Sequence, residues 1–144
     1  MKFDIDLNDL NPGVWFNLDD NDREEALCLR FLPIEKVREF AKQTTTTKIN
    51  FVVNESSRRM EAVNTYDRDA TAYDDMVYDF TIVDWRLKDR QDNAIPCTKE
   101  NKLKLMHEYV PFHRFYLDCV EKLTKLHSQE KEEQKKTSGT SQGD

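Results

Sequence analysis

The sequence predicts an α+β fold that is mostly helical, with an N-terminal β-hairpin, and the option of a third strand, packed on a bundle of about four helices. Two short runs of aromatic and β-branched residues lie near the N-terminus, with turn residues between them. From residue 69 onward, apolar residues recur at the three- and four-residue spacing of amphipathic helices. Among the 144 residues, eight Phe, five Tyr and two Trp supply bulky core material. We therefore expect one globular domain over residues 1–127 and a polar, largely disordered C-terminal tail over residues 128–144.

The predicted hairpin joins a strand at residues 14–18 to a strand at residues 26–31. Residues 19–22, Asp-Asp-Asn-Asp, form the turn between them. Because strand side chains alternate between two faces, one face of the second strand should carry Leu27, Leu29 and Phe31. Two strands alone are marginal in water, so the hairpin must pack on helices or gain strands from elsewhere in the chain.

The middle of the chain predicts a short helix at residues 34–43, which begins after Pro33 and ends at the four threonines of residues 44–47. Residues 49–53, Ile-Asn-Phe-Val-Val, are the option for a third strand. The next segment, residues 54–67, is polar, and we interpret it as a loop with one helical turn.

The clearest predicted helix covers residues 69–88. Its apolar stripe consists of Tyr73, Met76, Val77, Phe80, Val83 and Leu87. Ile82 and Trp85 lie off that stripe. Thr98 should cap a shorter helix, and Pro111 should either kink that helix or open a second one. An apolar seam then continues into a final long helix, which the charged residues 128–136 extend into solvent.

Charge and cysteine content narrow the functional classes. The formal net charge of −6 disfavours nucleic-acid binding, because an acidic domain repels phosphate backbones. Cys28, Cys97 and Cys119 share no paired spacing, which is typical of reduced thiols in an intracellular protein. No apolar run approaches the roughly 18 residues of a membrane span. We therefore expect a soluble cytoplasmic protein with neither nucleic-acid nor membrane partners.

The acidic and basic clusters have structural interpretations. Residues 19–22 could supply oxygen ligands to calcium, but an EF-hand loop counted from Asp19 has Glu24 where a glycine is required, which favours a turn. We interpret the remaining clusters as solvated helix faces. The acidic cluster is Asp74, Asp75, Asp79 and Asp84, and the basic cluster is Lys99, Lys102 and Lys104 beside His107.

Residue types that carry catalysis are sparse or badly spaced. His107 and His113 are six residues apart on a helix, on nearly opposite sides, and His127 is about 21 Å from His113 along the axis. Three glycines in the whole chain cannot build a glycine-rich phosphate loop. The sequence therefore predicts a protein that is not an enzyme, with no catalytic residue, no metal ligand and no cofactor.

Exposed aromatic residues are the best candidates for function, because partly exposed Trp and Tyr are typical interface anchors. Trp15 and Phe16 are adjacent in a predicted strand and must point to opposite faces, so one of them meets solvent or a partner. The candidate interface residues are Trp15, Phe16, Trp85, Phe112, Phe115 and Tyr116.

The order of these segments resembles the tail assembly chaperones and related small tail proteins of long-tailed bacteriophages and prophages. The resemblance rests on four short stretches in order. They are Gly13-Val14-Trp15-Phe16, Leu27-Cys28-Leu29-Arg30, Val83-Asp84-Trp85, and Ile95-Pro96-Cys97-Thr98-Lys99-Glu100-Asn101, followed by a helix rich in Phe. The similar proteins commonly have glycine near Asp92-Asn93, so the resemblance implies that Asn93 supplies the left-handed backbone conformation here.

The resemblance implies a non-catalytic helper that binds the tape-measure protein and tail-tube subunits during tail assembly in the host bacterial cytoplasm. A homo-oligomer stays open. Two alternatives also stay open: a structural minor tail or connector component of the phage particle, and a metal-dependent hydrolase that would use Asp19, Asp22 and a histidine.

Overall fold

A computed structural model describes residues 3–19 and 22–140 of the chain. Within them the strands are β1 (Val14–Asp19), β2 (Asp22–Leu29), β3 (Thr45–Val53), β4 (Met60–Arg68) and β5 (Ile82–Arg86). The helices are α1 (Ile34–Thr44), α2 (Ala70–Thr81), α3 (Lys99–Glu108) and α4 (Val110–Thr140). The α+β class is confirmed. The mostly helical prediction is confirmed only in part, since five strands accompany the four helices within the described residues.

The contacts divide the region predicted as one domain into two compact units. Unit 1 consists of the chain up to Phe31 together with the chain from Tyr78 onward, and unit 2 consists of Leu32–Val77. Unit 1 contains a three-stranded sheet of order β1-β2-β5, and unit 2 contains the two-stranded β3-β4 sheet.

The predicted N-terminal hairpin is confirmed, and β2 is the central strand of its sheet. β2 pairs antiparallel with β1 on one side and with β5 on the other. Four consecutive residues, 26–29, are 0–4% exposed, which is typical of a strand covered on both faces. Phe31 lies beyond the end of β2 and is 40% exposed, so the prediction that it shares a face with Leu27 and Leu29 was wrong. Asp20 and Asn21 of the predicted turn lie outside the described residues.

The predicted helix over residues 69–88 was wrong in its last third. Helix α2 ends at Thr81, and residues 82–86 form β5. Ile82 and Trp85 lie off the helical stripe and are 0% and 5% exposed, so a strand buries them where a helix would have directed them to another side. β5 also pairs with the second edge of β2, which a two-stranded hairpin of β1 and β2 would leave open.

The core of unit 1 lies between its sheet and the helices α3 and α4. Its buried members are Leu27, Leu29, Ile82, Trp85, Met106, Phe112, Tyr116, Cys119 and Leu123. The rings of Trp85 and Phe112 meet edge to face with their centroids 5.6 Å apart. The hydroxyl groups of Thr81 and Tyr116 are 2.9 Å apart and hydrogen-bonded. These contacts join β5 and the end of α2 to α4.

Gly13 precedes β1 at a point of close approach to β2. A methyl group built on its α-carbon would collide with the buried Cys28 Sγ atom and touch the Val83 side chain. Glycine therefore allows β1 to lie close to its neighbour at this position.

The helix boundaries in the C-terminal half follow the predicted signals. The side-chain oxygen of Thr98 accepts a hydrogen bond from the Asn101 N–H at 3.2 Å, which caps α3. Pro111 opens a second helix, because α3 ends at Glu108 and α4 begins at Val110. Proline is accommodated in the first turn of a helix, where its missing N–H is not needed. Helix α4 continues to Thr140, and residues 141–144 of the predicted tail lie outside the described residues.

Unit 2 consists of α1, the β3-β4 hairpin and the first part of α2. The four threonines end α1 as predicted, and the optional third strand exists as β3. However, β3 does not join the N-terminal sheet. It pairs over nine residues with β4, which occupies the segment predicted to be a loop with a helical turn. That prediction was wrong because Met60, Ala62 and Tyr66 have the even spacing of one strand face, although Val63 and Asn64 interrupt the alternation.

A candidate protein-binding groove

Unit 1 contains a groove between the end of β1, the loop that follows β5, α3 and the start of α4. Its volume is about 420 Å³. Its apolar lining is formed by Leu18, Leu87, Ile95, Leu105, Tyr109, Pro111, Phe112 and Phe115. A second depression of about 310 Å³ shares Ile95, Leu105 and Tyr109 with it, so the two form one continuous surface. We call this surface the apolar groove.

Trp85 holds one wall of the apolar groove in place. Its indole Nε1–H donates a 2.7 Å hydrogen bond to the carbonyl of Ile95, and the Ile95 N–H donates to the Leu87 carbonyl at 2.9 Å. Both backbone groups of Ile95 are therefore fixed, which presents its side chain to the groove. Trp85 itself is buried, so it acts as support beneath the surface.

The loop of residues 88–94 closes on itself through the carboxylate of Asp89. One oxygen of that carboxylate, Oδ1, accepts hydrogen bonds from the N–H groups of Gln91 and Asn93, both at 2.9 Å. Asp92 adopts the left-handed conformation with φ 65°. The expectation that Asn93 would do so was wrong by one residue, although Asp tolerates this conformation for the same reason as Asn.

The segment of residues 95–101 connects the loop to α3 through a compact set of hydrogen bonds. The Asn101 side-chain amide donates to the Pro96 carbonyl at 2.9 Å, and the Thr98 N–H donates to the same carbonyl at 3.0 Å. Together with the Thr98 cap, these bonds explain why isoleucine, proline, threonine and asparagine occur at this spacing. These bonds tie the first turn of α3 to the segment that precedes it.

The rim of the apolar groove carries charges of both signs. Lys88 lies 3.6 Å from Asp92 and 3.8 Å from Glu24, and these exposed pairs contribute little to stability. Arg90 and Glu25 also line the rim, as do Lys104 and Glu108 at the second depression. The rim is therefore wet and polar around an apolar floor, which is the usual anatomy of a protein interface.

The six candidate interface residues have different positions in the structure. Phe115 is half-buried and lines the apolar groove, and Phe112 forms part of its floor while 6% exposed. Trp85 and Tyr116 are 5% and 4% exposed and belong to the core, which accounts for their size and aromatic character without a partner.

The adjacent pair on β1 separates as the alternation requires. Phe16 packs against the core, whereas Trp15 is 44% exposed on the opposite face. The guanidinium of Arg86 lies 4.8 Å from the centroid of the Trp15 ring, a cation–π contact between β1 and β5. Trp15 is not among the residues that line the apolar groove.

Sequence reasoning missed most of the groove walls. Ile95 lies in the loop before Pro96, and Tyr109 separates α3 from α4. Leu18 is 48% exposed at the end of β1. The available signal was that apolar residues occur at chain reversals, where polar residues are the rule.

Lys102 was wrongly interpreted as part of a solvated face. It is 9% exposed, and its Nζ donates to the Asp79 carbonyl oxygen at 3.1 Å and to the Asp79 carboxylate at 3.2 Å. The interpretation of Asp79 as part of a solvated helix face was therefore also wrong, since its carboxylate binds the buried ammonium group of Lys102. Lys102 lies one helical turn before Met106, on the stripe that faces the core, and this spacing was the missed signal.

The thiols of unit 1 are held in their protonated form at neutral pH. Burial raises the pKa of Cys97 to about 11, with Lys102 opposing the shift. Burial also raises the pKa of Cys119 to about 11, and burial together with Asp84 raises the pKa of Cys28. Because the thiolate is the nucleophile and the metal ligand, these raised pKa values lower the reactivity of the three thiols at neutral pH.

The described residues hold no group of three or more His, Cys, Asp or Glu side chains arranged to bind a metal ion. His113 instead contacts the Met106 carbonyl through Nδ1 at 3.2 Å, and its ring meets Tyr78 edge to face. Among residues 3–19 and 22–140, no helix combines the length and the apolar character that crossing a bilayer requires. Neither protein-family models, curated protein sequences nor solved structures match this chain.

Proposed function

We propose that this protein is a non-catalytic binding protein that covers an amphipathic helix of a partner in its apolar groove. Combined with the sequence resemblance, this makes it a tail assembly chaperone of a long-tailed phage, acting in the host bacterial cytoplasm. Its partners are then the tape-measure and tail-tube proteins. The observation that carries the proposal is the groove itself, an apolar surface supported from below by the Trp85–Ile95 hydrogen bond.

The size and lining of the groove favour a helix as its occupant. A volume of about 420 Å³ accommodates a few large side chains, and the adjoining depression of about 310 Å³ extends the same surface. An amphipathic helix presents such side chains in a row, at three- and four-residue spacing. The charges of both signs at the rim suit the mixed charges that flank an apolar helical stripe.

A chaperone role follows from the chemistry of such a partner. A long helical protein that awaits assembly exposes apolar stripes, and these associate with one another unless another surface covers them. An acidic protein with a net charge of −6 keeps the resulting complex soluble through charge repulsion. No bond-making side chain is needed for this task.

The test measures binding of fragments of a phage tape-measure protein, and of a tail-tube protein, to the full chain by calorimetry. Leu18→Lys places a charge in the groove, and Leu117→Lys is the matched control, because the two leucines are 48% and 51% exposed and only Leu18 lines the groove. Loss of a leucine that the partner would bury should weaken binding about 10- to 100-fold. The control should bind within about twofold of the unmodified protein.

Two results would contradict the proposal. One is a lack of capture of either partner at micromolar concentration, and the other is equal weakening by Leu18→Lys and Leu117→Lys. Mass spectrometry of purified particles separates a chaperone from a structural tail component, since a chaperone should be absent from the finished particle.

A further inference from the structure

The first described residues of unit 1 form an exposed arm that combines apolar and acidic side chains. Every residue from 3 to 10 is exposed. The apolar side chains of this stretch are 62–83% exposed, and they are Phe3, Ile5, Leu7 and Leu10. Three aspartates and no basic residue stand among them, which gives the stretch three negative charges. We call residues 3–10 the N-terminal arm.

Hydrogen bonds fix the root of the N-terminal arm and a turn within it. The Asn11 side-chain amide donates to the Phe31 carbonyl at 2.7 Å, and the Phe31 N–H donates to the Asn11 side-chain oxygen at 3.2 Å. The Asn8 N–H donates to the Asp6 carboxylate, and the Asp9 N–H donates to the Asp6 carbonyl oxygen, both at 3.0 Å. The arm is therefore held at its root and turned at Asp6, while its side chains remain exposed.

A separate depression of about 300 Å³ lies where β1 meets the second half of α4. Phe16 and Leu126 contribute its apolar surface, and Lys122 and Lys125 also line it. Of the described residues, only these two lysines contribute charge to the lining, so the depression is both apolar and positive. We call it the lysine depression. It shares no lining residue with the apolar groove.

We propose that the lysine depression binds the N-terminal arm of a second copy of this chain, and that two copies exchange their arms about a twofold axis. The arm of the same chain is exposed along its whole length, so it does not occupy its own depression. This inference goes beyond the proposed function, because neither the arm nor the depression belongs to the apolar groove.

Charge complementarity identifies the arm as the occupant. One of its three carboxylates is engaged in the turn, which leaves Asp4 and Asp9 to form ion pairs. The depression offers one lysine for each of them, Lys122 and Lys125. The ammonium group of Lys125 also lies 3.2 Å from the carboxylate of Glu121. That pair is exposed and four residues apart on a helix, so it contributes little and does not prevent a second carboxylate from binding.

The apolar side chains of the arm suit the same surface. Phe3 and Ile5 are two residues apart, so their side chains share a face where the chain is extended. They precede the turn of the arm and are 72% and 62% exposed. Packing against Phe16 and Leu126 would remove apolar surface of both copies from water. The contact therefore has an apolar centre with ion pairs at its edge, which is the usual arrangement of a protein interface.

Reciprocal exchange sets the size and the strength of the contact. Two arms with four apolar residues each, together with the surfaces that they cover, bury roughly 1,000 Å² in total, which is the lower bound of specific interfaces. The second arm binds at a high local concentration once the first has bound, which strengthens the pair of contacts. We therefore expect a weak dimer with a dissociation constant on the order of 10–100 μM.

Sedimentation of the full chain at concentrations of about 5 to 500 μM, which bracket that constant, tests the inference. Leu126→Glu places a negative charge in the lysine depression. Leu117→Glu is the matched control, because both leucines belong to α4, they are 45% and 51% exposed, and only Leu126 lines the depression. The unmodified protein and Leu117→Glu should change from monomer to dimer with the same midpoint. Leu126→Glu should weaken the dimer at least about tenfold.

A charge-reversal series separates the proposed ion pairs from the general effect of net charge. Changing Asp4 and Asp9 to lysine alters the net charge by +4, from −6 to −2, which by itself would favour association. We expect the opposite, a weakening of at least about tenfold, because lysines then face lysines. Changing Lys122 and Lys125 to glutamate should also weaken the dimer. The four changes together should restore the midpoint of the unmodified protein, because they return both the net charge and the opposite signs of the two surfaces.

Three results would overturn the inference. They are a monomer at every concentration, tighter association when Asp4 and Asp9 become lysines, and failure of the four changes together to restore the dimer. Equal weakening by Leu117→Glu and Leu126→Glu would contradict it as well. The arm variants change only exposed side chains, so their urea unfolding midpoint should match that of the unmodified protein. None of these outcomes bears on binding in the apolar groove, whose lining contains none of the substituted residues.

Discussion

Replacing Gly13 with alanine should lower the free energy of unfolding of unit 1 by about 1–2 kcal/mol. The added methyl group collides with the Cys28 Sγ atom, which is 4% exposed and enclosed between strands. Overpacking of this kind costs about 1–3 kcal/mol, and the lower entropy of the unfolded alanine chain offsets about 0.4–1 kcal/mol of it. The backbone of Gly13 does not require glycine for its dihedral angle, so the effect is steric.

A double-mutant cycle isolates this steric term. Cys28→Ala removes the sulfur atom and should cost about 1 kcal/mol by itself. In the double variant, the methyl group added at position 13 occupies the space that the sulfur vacates. The double variant should therefore be about 1–3 kcal/mol more stable than the sum of the two single changes predicts.

Urea unfolding followed by tryptophan fluorescence measures this coupling, because both tryptophans, Trp15 and Trp85, belong to unit 1. Additive effects within about 0.5 kcal/mol would refute the reasoning. A gain in stability from Gly13→Ala alone would also refute the reasoning. Such a gain would mean that the lower entropy of the unfolded chain acts without any steric clash in the folded protein.

Three further changes test other contacts of unit 1. Tyr116→Phe removes the hydrogen bond to Thr81 and should lower stability by about 1 kcal/mol in urea unfolding, and an unchanged midpoint would contradict this. Thr98→Ala removes the cap of α3 and should also cost about 1 kcal/mol, with Thr98→Ser as the control that retains the cap. Burial raises the pKa of Cys119 from 9.0 to about 11. Between pH 9 and 11 the unfolded chain therefore loses a proton that the folded chain keeps, so the melting temperature should fall with rising pH, and less steeply in Cys119→Ala.

Local patterns predicted the features that depend on neighbouring residues. The first hairpin, the end of α1 at the threonines, the Thr98 cap and the opening of α4 at Pro111 all follow from side-chain type at short range. Each depends on turn, cap or propensity rules that act over a few residues.

Features that depend on distant parts of the chain were not predictable in this way. Val83 and Leu87 continue the helical spacing of the apolar residues in α2. Residues 82–86 form a strand because they pair with β2, which is distant in sequence. Lys102 is charged, and the ion pair with Asp79 in α2 offsets the free-energy cost of burying its ammonium group. The apolar groove has the same origin, since Leu18, Leu87 and Tyr109 meet only after the sheet and both helices are assembled.

The position of β5 in the sheet has a consequence during synthesis of the chain. Leu29 and Ile82 are register partners, and the whole of unit 2 lies between them in sequence. A ribosome adds about 5–20 residues per second, so β2 waits on the order of several seconds for its second neighbour. A hairpin forms within about 1–10 μs but is marginal in water by itself, so Leu27 and Leu29 stay uncovered throughout that interval. The early chain is therefore more prone to association than the finished protein, and slowing translation after residue 31 should lower the yield of folded product.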